Sequence, residues 1–268
     1  MGPASGVDFS LGPGMSRCRL CDQEHQLIRA HAIPESFFRV LRSEGETPLL
    51  VSNAEDPFPK RAHIGVYDTG ILCGDCEKKF GHVDSYASEV LITRFEQLFK
   101  PVVHGERIAL QAQGVDQQLL LRFLVATLWR ASVSTHQFYR RVRLGKYEIE
   151  AKRATDLASP MSETFAAVLS AWPAPEGGVF SAYGLMDPFP EKWDGVNAYR
   201  IYLGRVVAYI KVDRRPFAYP LSDLALGRYD VLSIVQRDFA MSKDFSTMAK
   251  TARLSHQRVQ MTRANGKS

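Results

Sequence analysis

Cysteine is scarce in this chain, with four among 268 residues. That is too few for a disulfide scaffold in a protein of this length. Long apolar runs are missing as well. The best, residues 119–129, contains Arg122 and is far shorter than the roughly 20 residues a membrane span needs. It reads as a buried helix segment. The N-terminus, residues 1–16, is rich in Gly, Pro and Ser and lacks the basic start and apolar centre of a secretory signal. A flexible lead-in and a cytoplasmic location are the expectation. There is no Walker-type phosphate loop, no GxGxxG after a strand and no GxSxG elbow, which sets aside the commonest nucleotide-binding and serine-hydrolase chemistries.

What is present is the placement of those cysteines. Cys18-Arg19-Leu20-Cys21 and Cys73-Gly74-Asp75-Cys76 form two C-x2-C knuckles, 51 residues apart. Two knuckles supply the four thiolates of a tetrahedral structural site, so Zn2+ is the expected cofactor, with Cys18, Cys21, Cys73 and Cys76 as ligands. Redox pairs or ordinary buried thiols are the competing reading.

The net charge is +5, and its distribution matters more than its size. From Met241 onward, Lys243, Lys250, Arg253, Arg258, Arg263 and Lys267 face only Asp244, so this end carries the whole formal excess. A second basic run comprises Arg140, Arg141, Arg143 and Lys146. Such stretches suit a phosphate backbone, and nucleic acid, DNA foremost, is the expected partner of the basic C-terminal regions. A solvated helix face and a frayed terminus would look the same in sequence.

The apolar pattern outlines the elements. Residues 25–31 and 65–72 read as strands, 35–41 as a short helix and 43–64 as a long irregular connection with several prolines. A helix is expected from Asp75 and Cys76 through Phe99, stopped by Pro101. Residues 115–142 form the most apolar helical stretch. Residues 151–157 and 162–172 read as further helices, ended by the Pro173–Gly178 break. After the break the period changes, and 179–185, 198–203, 205–212 and 229–235 are strand-like. The expected fold is α+β: a zinc-bound ββα unit, then a helical region with a small antiparallel sheet. The expected divisions are 1–15, 16–104, 105–240 and 241–268, the last a basic helix or tail.

The region from Cys18 to about His82 resembles the zinc-containing branch of the HNH, or His-Me finger, endonucleases. The resemblance rests on Cys18-x2-Cys21, Ala30-His31-Ala32-Ile33-Pro34 and Ile71-Leu72-Cys73-x2-Cys76-Glu77, and covers the first third of the chain. It is closest in kind to a subgroup with CxxCE at the second knuckle, which Leu128-Trp129-Arg130-Ala131-Ser132 also resembles. The resemblance implies a metal-dependent nuclease in which His31 is the general base and Mg2+ or Mn2+ grips the scissile phosphate. The sequence departs from the family at three places. Ala30 stands where a metal-binding Asp or His is usual, the mid-motif Asn has no counterpart, and Glu77 replaces an Asn or His. Glu77 and Asp68 are the carboxylates that would position such an ion, with His82, Asp84 and His63 as further candidates. The alternative is a non-catalytic zinc-binding module that holds nucleic acid or a protein partner.

Overall fold

The computed structural model describes residues 14–40, 49–50, 60–61, 65–105, 107–173, 186–238 and scattered positions from 241 to 253. Residues 1–13 of the N-terminal lead-in, most of the 43–64 connection, the strand expected at 179–185, His63 and the end of the basic tail lie outside these residues.

The chain opens with two short strands, β1 (Met15–Arg17) and β2 (Glu24–Gln26), paired antiparallel around the first knuckle. β3 (Ala30–His31) and α1 (Glu35–Arg39) follow, with Pro34 at the helix start. The single strand expected over 25–31 is therefore split, because Leu27 and Ile28 turn away to bond with Cys73 and Leu72. β4 (Leu49–Leu50) pairs with β5 (Lys60–Arg61). β6 (Tyr67–Asp68) pairs antiparallel with β3 and is much shorter than the expected strand.

The helix expected up to Phe99 is a chain of pieces. These are α2 (Gly74–Lys78), α3 (Gly81–Ser88), a π-helical turn (Glu89–Thr93) and α4 (Phe95–Leu98). Their apolar positions still fall on one buried side: Phe80, Val83, Ala87, Val90, Leu91, Phe95 and Phe99.

β7 (Lys100–His104) and β8 (Arg107–Ala112) form a hairpin across Gly105. The central element is α5 (Gln117–Val133). Asp116 caps it, its carboxylate accepting from Leu119 N at 2.9 Å, which satisfies one of the orphan donors at the helix start. Every residue from Phe123 to Val133 is buried, as expected of a helix enclosed on all sides. The expected helix over 115–142 stops here, since Ser134 has extended backbone. α6 (Glu148–Ala154) packs against α5.

The sheet differs most from expectation. It has seven strands, not a few, and is not wholly antiparallel. Residues 162–172, expected as a helix, contain the strand β9 (Phe165–Ala171). β10 (Phe189–Trp193), β11 (Val196–Leu203), β12 (Val206–Val212) and β13 (Leu232–Gln236) complete the order β10-β11-β12-β9-β13-β8-β7. β9 is antiparallel to β12 and parallel to β13. A short, fully apolar run carries no period to separate strand from helix. Here both faces are covered, so the alternation that marks a half-exposed strand is absent.

The two faces are nevertheless distinct. Val206, Ala208, Ile210 and Val212 of β12 join the main core with α5, whereas Val207 and Tyr209 pack with Trp172, Met186 and Tyr202 on the other side. The main core runs from Cys18 to Ile234 without a break. No helix among the described residues is long and apolar enough to cross a membrane.

Gly65 has φ +87°, and a Cβ there would lie 2.5 Å from the Phe38 ring. Phe38 is fully buried and cannot swing aside. Gly65→Ala combines left-handed strain with overpacking and is expected to cost about 1–3 kcal/mol. The check is the unfolding midpoint in denaturant.

Candidate metal centre and the His31 edge

The two knuckles are brought together by backbone hydrogen bonds. Arg19 N donates to Ile71 O at 2.8 Å and Ile28 N to Leu72 O at 2.9 Å. Within the first knuckle, Cys18 N donates to Gln23 O and Asp22 N to Cys18 O, both at 2.9 Å, with Asp22 in the left-handed region at φ 60°. The second knuckle opens α2: Cys73 precedes its first turn and Cys76 lies within it.

As a result the four Sγ atoms all lie within 4.8 Å of one another, and none is in a disulfide. Four sulfurs about 2.3 Å from a shared centre in a tetrahedron would be this close. Cys73 N also donates to Cys18 Sγ at 3.4 Å. Burial pushes the Cys18 thiol up, but the backbone N–H groups of Cys21, Cys73 and Leu20 outweigh it and bring Cys18 down to about 7. Cys76 is pushed well above its ordinary value by burial and by the other three cysteines. Without an ion Cys18 and Cys76 are thus driven in opposite directions. A divalent cation would supply the missing charge, so the donor set fits structural zinc.

The nuclease-type residues are placed differently from one another. In the β3–β6 register Ala30 faces Asp68 and His31 faces Tyr67. Side chains alternate along a strand, so Asp68 and His31 point to opposite sides. Asp68 is buried, and its carboxylate is fully used. One oxygen accepts from Gly70 N at 2.7 Å. The other accepts from Ser134 Oγ and Thr135 N at 2.7 Å and from Thr135 Oγ1 and His136 N at 3.2 Å. Burial alone would raise this carboxyl, but Ser134, Gly70 and Thr135 hold it below the usual range. Asp68 is thus the clamp on the chain leaving α5.

Glu77 sits on α2 with one carboxylate oxygen facing the backbone N–H of His31, while Oε2 is buried without a partner. Burial raises its pKa, Arg130 opposes that shift, and Asp84 adds to it. Asp84 is engaged in a two-point pair with Arg130, at 2.7 and 2.8 Å. His82 is exposed on α3 and His25 is half-buried on β2.

Among the described residues, the four cysteines are the one group of three or more His, Cys, Asp or Glu whose ligand atoms converge. His31, Asp68 and Glu77 do not form a second such group. Among the described residues, His31, Asp68 and Glu77 therefore do not fit a catalytic Mg2+ or Mn2+ ion at this edge.

Sequence reasoning quoted Arg130 only within a resemblance, with no role of its own, and passed over Tyr139 altogether. Both are fully buried, and Arg130 lies over the Phe80 ring at 4.5 Å. The available signal was a cation inside an otherwise apolar helix, which demands a buried partner.

No protein-family model matches the sequence, and neither a curated protein nor a solved structure matches the chain.

Metal analysis of purified protein is expected to find one zinc per chain. Cys73→Ser should lose that zinc and unfold at lower temperature than the parent. Retention of both would refute the four-thiolate site. Asp68→Ala is expected to cost about 1–3 kcal/mol near neutral pH, because it leaves several buried donors unpaired. A carboxyl with a lowered folded pKa stabilises above its unfolded pKa and loses that contribution as pH falls through the folded value. The gap between parent and variant should be constant at neutral pH and close only in acid, as read from denaturant titrations at several pH values.

Proposed function

We propose that the chain is a zinc-stapled, non-catalytic nucleic-acid-binding protein. Its first third resembles an HNH unit around His31 but does not assemble a hydrolytic ion site. One observation carries this reading. The Arg29 guanidinium carbon lies 5.1 Å from the Tyr67 ring centroid, and the His31 ring meets the same Tyr67 edge-on at 6.1 Å. Arg29 and His31 are two residues apart, and Tyr67 is opposite His31 in the register. Arg29 is exposed, while His31 and Tyr67 are half-buried. A cation beside aromatic rings is the arrangement that grips a phosphate while an unstacked base rests on a ring. The zinc cluster supports it by fixing the strands on which these side chains stand.

The hydrolytic alternative keeps His31 as the base, supported by its position at a strand end with its ring half-exposed. The engaged Asp68, and Glu77 held at the His31 backbone with its carboxyl raised by burial, weigh against it.

The test uses the zinc-loaded full chain. Fluorescence anisotropy with single-stranded and duplex oligonucleotides should show binding that weakens as salt rises. Arg29→Ala should lower affinity for all sequences and reduce the salt slope by about 1, as expected for one lost phosphate contact. Tyr67→Ala should weaken single-strand binding most. Plasmid incubated with magnesium or manganese should stay intact. Salt-insensitive or absent binding would overturn the proposal. Cleavage abolished by His31→Ala would replace it with the nuclease reading.

A further inference from the structure

The basic run Arg140, Arg141, Arg143 and Lys146 takes no part in the Arg29–Tyr67–His31 edge. It lies instead against the β10 edge of the large sheet. Tyr199 of β11 fixes it there: Arg143 N donates to the Tyr199 hydroxyl at 3.1 Å, and that hydroxyl donates to Arg143 O at 2.8 Å. Between this loop and the β10–β11 hairpin is a cleft of about 410 Å³, lined among others by Arg143, Tyr147, Lys192 and Asn197.

The strand register decides which charges the cleft presents. Across β10 and β11, Pro190 faces Tyr199 and Lys192 faces Asn197. Side chains alternate along a strand, so these four share the face that meets the loop, and Glu191 stands on the other. Glu191 is the one carboxylate among the described residues lining the cleft. Its oxygens are taken by Arg200 at 3.1 Å and by Trp193 Nε1 at 3.0 Å. Asp213, behind Asn197, is buried and accepts from Asn197 Nδ2 at 3.1 Å and from Arg215 at 2.6 and 2.9 Å. Glu148 and Asp194, the next carboxylates along the chain, do not line the cleft. Arg143 and Lys192 are exposed, and neither is in an ion pair among the described residues. Two uncompensated cations therefore face one cleft. Tyr147 adds a half-buried ring with Lys146 Nζ 5.1 Å from its centroid, the same pairing of cation and ring as Arg29 with Tyr67.

We propose that this cleft is a second phosphate-binding subsite for the nucleic acid held at the Arg29 edge, an inference that rests on the reading above. Arg143 and Lys192 each neutralise one backbone phosphate, and the Tyr147 ring supports an adjacent base. The Asp68 clamp links the two subsites. Asp68 follows Tyr67 in β6 and grips the chain at His136, from which Arg143 is seven residues away, at most about 25 Å of backbone. With the clamp included, the subsites lie within about 40 Å, the length of roughly twelve stacked nucleotides.

The test is fluorescence anisotropy of the zinc-loaded full chain with a single strand of about 20 nucleotides, long enough to reach both subsites. Arg143→Ala and Lys192→Ala should each lower the salt slope by about 1 and weaken binding roughly fivefold at physiological salt. The double variant should lose about 2 in slope. Lys100→Ala removes one positive charge from β7, at the opposite end of the strand order, and should change neither. Unchanged zinc content and circular dichroism confirm that the variants are folded. Absence of salt-sensitive binding by the parent would overturn this inference together with the proposed function. Binding weakened by Arg29→Ala but unchanged in Arg143→Ala/Lys192→Ala would overturn the second subsite alone. An equal effect of Lys100→Ala would overturn it as well, reducing it to net charge. Adenosine monophosphate competing as strongly as the oligonucleotide would assign the cleft to a small phosphorylated ligand and overturn it too.

Discussion

The structure depends on enclosing α5 on every side from Phe123 to Val133. An enclosed helix must have its capping groups and any charge satisfied from outside itself, because water cannot do so. At its start, Asp116 caps the first turn, and Gln117 donates to Tyr229 O at 2.7 Å and accepts from Gly227 N at 2.9 Å. Near its end, Arg130 is met by Asp84 from α3, and the chain leaving the helix is gripped by Asp68 from β6. Both carboxylates come from the first third of the chain, and the Gln117 partners come from the sheet region. The helix therefore ties the knuckle region and the sheet into one packed body.

This arrangement explains why His31, Asp68 and Glu77 do not converge as a metal-type cluster among the described residues. A carboxylate serves as a metal ligand when its lone pairs are free to converge with others on one point. Asp68 has spent its lone pairs on Ser134, Thr135, His136 and Gly70, and Asp84 has spent its own on Arg130. Glu77 is held at the backbone of His31, where burial favours its neutral form. The lowered carboxyl of Asp68 and the raised carboxyl of Glu77 follow from these surroundings. What is left facing outward is a cation and two rings, which under the proposed function would hold a polyanion without breaking a bond in it.

The thiolates obey a different rule. Backbone N–H groups hold the Cys18 thiol low, while burial and the other three cysteines push Cys76 up. A divalent cation removes that conflict and converts a strained cluster into a staple. β1, β2, β3 and β6 are two or three residues long, too short to hold position by their own hydrogen bonds. The cysteine cluster, which a metal ion would close, and the core beneath it hold the His31 edge in place.

The sequence alone determined the features that depend on local spacing. The two knuckles, the pairing of His31 with a proline-ended strand, the apolar stripe of α5 and the strands β11 and β12 around Gly204 could all be read from residue order, because each rests on a short motif or an intact period. Tertiary structure decided the rest. Residues 165–171 became a central strand because both their faces are covered, which removes the alternation that would announce it. Asp68 became a clamp, not a ligand, because its partners lie 66 to 68 residues away at the end of α5. Arg130 found Asp84 across 46 residues. Spacing can state which side chains are capable of a chemistry, but only the packed fold decides whether their lone pairs are still free to perform it.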